Sequence, residues 1–156
     1  GYKVASIIND FNYRVALLDK IRQSGCEPLA VISARAHIHP SVHIGALSFV
    51  KDGALIDVNS YIAEACIVDN GCVIAHDNLL QPGVRLAPGV CLGSNIVIGT
   101  GSILGVGVSV NTGVKIGQHC IIGAGSSVTQ NIPDYSVVEG VPGKVIGRRP
   151  VLRSNS

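Results

Sequence analysis

The residues best suited to chemistry in this chain are the adjacent pair His76 and Asp77, set between Ala75 and Asn78. A carboxylate beside an imidazole can hold one ring nitrogen and leave the other as a base, and imidazoles titrate close to neutral pH. That combination suits removal of a proton from a hydroxyl or an amine. No cysteine or serine stands beside His76 as a rival nucleophile. His37, His39 and His43 crowd together and suggest a metal cluster on paper, but three scattered histidines at one end of an element read as structural or exposed. The five cysteines contain no CxxC pair, and their odd number fits a reducing cytoplasm better than a disulfide framework.

The element that must position His76 is a repeat. From Ile38 to Val128 every sixth residue is Ile, Leu or Val, without insertion. Glycines fall one or three residues after the aliphatic. Two residues before the next aliphatic the side chain is usually small, as at Ser48, Ala54, Ser60, Cys66, Cys72, Ser102, Cys120 and Ser126. A fixed period outranks local propensity, and a period of six does not match the 3.6 of an amphipathic helix. Three rungs of six make one triangular coil, and coils stack as parallel strands about 4.8 Å apart. The aliphatic fills the prism, the small residue shares its narrow interior, and glycine takes corner angles that a Cβ would strain. The pattern predicts a mainly β chain built on a parallel β-helix of the hexapeptide type. In this register His76 occupies the third place of its rung, at a corner, with its ring away from the core. Its stacked neighbours are Val58 and Ser94. Cys66, Cys72 and Cys120 fall at inward positions and read as core thiols. Val97, Ile103 and Ile121 fall on the flat faces, where they are apolar and open to a partner.

Three segments follow. Residues 1–36 read as a strand over Lys3–Ile8, a helix carrying Phe11, Val15, Leu18 and Ile21 and stopped at Gly25, and a strand over Pro28–Ile32. This partial α/β unit is too small to bury a core alone and reads as a cap on the coil. Residues 37–133 form the coil. Residues 134–156 form a proline-containing cap and a basic tail with Arg148, Arg149 and Arg153. The chain starts Gly-Tyr and contains no Met, so it reads as a fragment or as trimmed at its start.

Composition excludes little else. A net charge of +2 is too small to imply nucleic acid. Residues 86–114 carry no charge, yet their regular Gly, Ser, Asn and Thr argue against a membrane span. No signal peptide is visible.

The rungs resemble the left-handed hexapeptide-repeat acyltransferases, whose coil departs from right-handed crossovers. The runs Val73-Ile-Ala-His-Asp77, Leu86-Ala-Pro-Gly-Val90 and Gly140-Val-Pro-Gly-Lys144 are similar to the sugar O-acyltransferase family related to sialic acid O-acetyltransferase, which includes N-acetyltransferases of nucleotide-linked amino sugars. The resemblance implies a cytoplasmic homotrimer, working in surface-polysaccharide biosynthesis. It would move an acetyl group from acetyl-CoA to an amino or hydroxyl group of an activated sugar. It makes His76 the general base and Asp77 the group that raises its basicity. It lays acetyl-CoA along a seam between subunits, beside the backbone of Val106 and Ala124, with the Ser94 amide as an oxyanion donor and Lys144 among the contacts. Arg85 stands where some members have a histidine near the acetyl group, and would meet the thioester carbonyl or a phosphate. Asn9 and Asp10 match the edge of the acceptor site. No metal is implied. Two other readings share the coil: a non-catalytic structural module, and a metal enzyme of the γ-carbonic anhydrase type. The latter needs three histidines converging at a seam, whereas only His76 and His119 lie on the coil body, in unrelated rows.

Overall fold

The computed structural model describes residues 3–4 and 10–151. Strand β1 (Lys3–Val4) pairs in parallel with β2 (Glu27–Pro28), and helix α1 (Phe11–Gln23) lies between them in sequence. The Asp10 carboxylate caps α1 by accepting from the Tyr13 amide at 2.7 Å, and Gly25 follows its last turn at φ +74°. The strand expected over Pro28–Ile32 divides in two. Its first end joins β1, whereas β3 (Val31–Ile32) pairs with β6 (Phe49–Val50) and is already part of the coil. The coil therefore starts six residues ahead of the expected boundary at 37, because Val31 and Ile32 continue the stacking that Phe49 and Val50 require.

From β4 (His37–Ile38) to β19 (Ser127–Val128) every strand is two residues long. The pairings are parallel and one coil apart, as in Val73↔Cys91 and Ile74↔Leu92. They generate three walls, a six-stranded, a five-stranded and an eight-stranded sheet, and the fold is a left-handed parallel β-helix. The chain closes with β20 (Ser136–Glu139), which extends the eight-stranded wall, and β21 (Lys144–Arg148), which folds back antiparallel on it.

The inward aliphatics form one continuous core from Val50 to Val138, with Ile74, Leu80, Leu86 and Leu104 fully enclosed. Each such side chain contributes about 1.5–3 kcal/mol by burial. Cys66, Cys72 and Cys120 lie in this core as free thiols, and burial pushes the Cys66 thiol up to about 12 and that of Cys72 to about 11. Small inward serines tie coil to coil. Ser102 Oγ donates to the Gly117 carbonyl at 2.7 Å and accepts from the Cys120 amide at 2.9 Å.

The prism has three edges. The helix edge, between the five- and eight-stranded walls, receives α1. Leu18 and Ile21 pack there on Leu47, and the buried Arg14 donates to the carbonyls of Ala65 and Gly83 at 3.0 and 2.9 Å. Gly83 has no alternative at this contact, since a Cβ would stand 2.1 Å from the Phe11 ring. The glycine edge, between the eight- and six-stranded walls, carries Gly53, Gly71, Gly89, Gly107 and Gly125 at positive φ. At the third edge, between the six- and five-stranded walls, the same place is held by Asn59, Asp77 and Asn95 near φ +58°. Asn and Asp tolerate this region better than other side chains. This is the histidine edge.

Val97, Ile103 and Ile121 are half-buried. Open apolar positions on the walls are instead Leu55 and Val73 on the six-stranded wall and Tyr61 on the five-stranded one, the two walls that flank the histidine edge, and Val31, Ile32, Val145 and Ile146 on the eight-stranded wall. No described helix is long and apolar enough to cross a membrane.

Candidate active site

His76 and Asp77 project from the histidine edge with 47 and 43% of their side chains exposed. Asp77 sits at φ +58°, which turns its carboxylate back onto its neighbour, and His76 Nδ1 meets Asp77 Oδ2 at 2.7 Å. A carboxylate can only accept, so Nδ1 carries the proton in this contact, and in the neutral ring Nε2 keeps its lone pair. That is the arrangement a general base needs. The corner is stitched along the coil on both sides. The Asp77 amide donates to the Val58 carbonyl at 3.0 Å, and the His76 carbonyl accepts from the Asn95 amide at 3.2 Å.

The other candidates fall elsewhere. Val106 and Ala124 are exposed on the glycine edge, one coil apart. Among the described residues their amides donate to nothing, whereas the Val106 carbonyl is taken by the Gly125 amide at 2.8 Å. The row thus offers two outward amides, together with the Ala124 carbonyl, which accepts from none of the described residues. Lys144 is exposed close to the same edge, because the turn before it is bound there through Gly143 N to the Ser127 carbonyl at 2.7 Å. Ser94 lies beside His76 along the histidine edge, but its amide donates to Thr112 Oγ1 at 3.2 Å. The expected oxyanion donor is therefore engaged in this conformation. Arg85 lies on the eight-stranded wall, across the prism from His76. It is 3.9 Å from Asp69, a buried carboxylate also held by Lys51 at 2.9 Å. Within one protomer, then, His76 meets neither Arg85 nor the row at Val106 and Ala124.

Asp10 opens onto a cavity of about 140 Å³ at the helix edge, shared with Asn12, His119 and Arg149. Asn9 lies outside the described residues. His119 stands at a different edge from His76, and no group of three or more potential metal ligands is present among the described residues.

No family model matches the chain. Solved structures do. PerB from Caulobacter crescentus, in complex with CoA and GDP-perosamine, is 34% identical with a TM-score of 0.91, over 94% of this chain and 70% of that one. A histidine-to-alanine variant of GDP-perosamine N-acetyltransferase from the same organism, again with CoA and GDP-perosamine, matches at 33% identity and TM-score 0.92, over the same shares. The acetyltransferase domain of PglB from Neisseria gonorrhoeae, in complex with acetyl coenzyme A, is 28% identical with a TM-score of 0.87, over 89% of this chain and 68% of that one. The chain belongs to the hexapeptide-repeat sugar acetyltransferases.

In this acetyltransferase two residues near the candidate sites escape a reading by pattern. Asn78 occupies an inward place where the coil elsewhere sets Ser, Ala, Cys, Val or Ile, and is 1% exposed. Its only sequence signal is that lone amide side chain in the inward row. His119 replaces the corner glycine at φ +52° on the helix edge, its ring edge-on to Phe11 and stacked on Tyr135.

Burial holds the His119 imidazole below the usual histidine value. The Arg149 guanidinium adds to this and Asp134 opposes it. The folded state thus favours the neutral ring. As pH falls through the ordinary histidine range near 6.5, the unfolded chain takes up the proton first and stability is lost. His119→Asn keeps a residue suited to positive φ and should flatten the fall in melting temperature between about pH 7 and 5. Equal acid slopes in variant and parent would show that His119 does not contribute to it.

Proposed function

We propose that the protein transfers an acetyl group from acetyl-CoA to the amino group of a nucleotide-linked sugar, in the cytoplasm, as a homotrimer whose sites lie between protomers. The observation that carries this reading is the His76–Asp77 contact on an exposed edge, with a row of outward amides at Val106 and Ala124 on another. Each edge holds half of what the reaction requires, and closed symmetry can bring unlike edges of two copies together. The apolar positions Leu55, Val73 and Tyr61 beside the histidine edge favour such burial.

His76 Nε2 takes a proton from the acceptor nitrogen as that nitrogen attacks the thioester carbonyl. One N–C bond forms, the C–S bond breaks, and the sulfur leaves as the thiolate of CoA. Asp77 keeps the ring oriented and stabilises the imidazolium that results. No protein nucleophile takes part. Outward amides at Val106 and Ala124, with Lys144 nearby, suit the amides and phosphates of the donor's long arm. Ser94 can serve as an oxyanion donor once its contact to Thr112 opens. Arg85 would meet the donor's carbonyl or a phosphate from the face of a neighbouring protomer. Asn9 and Asp10 would mark the acceptor side. An amine acceptor is favoured by relatives crystallised with GDP-perosamine and named as N-acetyltransferases.

The test is acceptor-dependent release of CoA thiol with a panel of nucleotide-linked amino sugars and their hydroxyl counterparts. Release with an amino sugar, matched by an acetylated product in the mass spectrum, is expected. Release with the hydroxyl sugars alone would overturn the amine assignment.

A further inference from the structure

We infer that Asn78 is a positioning residue for the general base, acting through the corner that carries His76 and Asp77. The inference rests on the reading of His76 as that base.

Corners with glycine at the third place close with their own backbone bond, from the fourth amide to the first carbonyl. Val90 N to Ala87 O at 3.3 Å and Ser102 N to Gly99 O at 3.2 Å are examples. At the His76 corner the matching bond, Asn78 N to Ala75 O, is absent among the described residues, and the Asn78 amide goes to Ser60 Oγ at 3.2 Å. With Asp77 rather than glycine at positive φ the corner is opened, and a side chain closes it instead. Asn78 Nδ2 donates to the Ala75 carbonyl at 2.7 Å.

The same side chain also links this coil to the next. Nδ2 donates to the Gly93 carbonyl at 2.8 Å, and Oδ1 accepts from the Ile96 amide at 2.8 Å. Those two bonds are what an inward serine makes elsewhere, as at Ser102 with Gly117 and Cys120. The bond to Ala75 is additional, and a serine is too short to combine it with the other two. The Ala75 carbonyl also accepts from Ser60 Oγ at 3.0 Å, so the peptide entering His76 is clamped from two sides. The residue leaving Asp77 is the clamp itself. A surface His–Asp contact is weak on its own. The dyad holds its geometry because its backbone flanks are fixed from the core, as supporting hydrogen bonds do for catalytic groups.

The experiment compares the parent protein with Asn78→Ser, Asn78→Ala and His76→Ala. The readouts are melting temperature, kcat, KM for acetyl-CoA and the pH profile of kcat/KM. Asn78→Ala should lower kcat by about 10- to 100-fold, the penalty for a small misplacement of a reacting group. It should leave KM for acetyl-CoA unchanged and move the acid limb of the profile, since the ring loses its fixed carboxylate partner. Asn78→Ser keeps the bonds to the next coil and loses the clamp on Ala75, so kcat should fall to an intermediate value with little change in melting temperature. If Asn78→Ala does not fold, Asn78→Ser decides. A lowered melting temperature with parental kcat and pH profile would make Asn78 purely structural and overturn the inference while leaving His76 as the base. Turnover retained in His76→Ala would instead remove the base and this inference with it.

Discussion

Replacing His76 with alanine should lower kcat by roughly 10²–10⁴ while acetyl-CoA binds as before, the range expected on losing a general base. The ring projects from the histidine edge and donates through Nδ1 to Asp77 at 2.7 Å. The proposed donor row, at Val106 and Ala124, lies on another edge, so binding and chemistry separate in the mutant kinetics. Asp77→Asn should cost less, because the ring remains and loses only its orienting charge. A variant with near-parental turnover would make His76 a surface residue. The base would then have to be sought elsewhere on the coil, and the enzyme reading would lose its central residue.

Much of this molecule was legible in advance because a period of six is a geometric statement. It sets which residue points inward, which falls at a corner and which residues stack, and the pairing of Val73 with Cys91 reproduces that register. His76 was found at its corner for the same reason, and the core thiols at theirs. The rest depends on contacts that a one-dimensional pattern does not encode. Arg14 lies on the helix, outside the repeat, and is buried because two carbonyls at the helix edge, Ala65 and Gly83, accept from it. Pro28–Ile32 reads as one strand, but its two ends belong to different sheets. Arg85 reads as a cation free to meet a ligand. Its neighbour Asp69, on the coil before, takes part of that capacity. Asn78 matters through three bonds to backbone atoms, two of them on the next coil. The proposed seam is the least legible feature of all, since a site divided between two copies of the chain would leave only half of its residues on each edge.

The most direct test of that division is activity in mixed oligomers of His76→Ala with Ala124→Trp, a variant whose bulk fills the proposed donor row. Each variant alone should be nearly inactive. If one site takes its base from one protomer and its donor row from the next, every trimer containing both variants regains one site. Random mixing at equal amounts should then restore about a quarter of parental activity, as expected for a closed ring of three. Mixed oligomers as inactive as either variant alone would place both halves in one protomer and contradict the account.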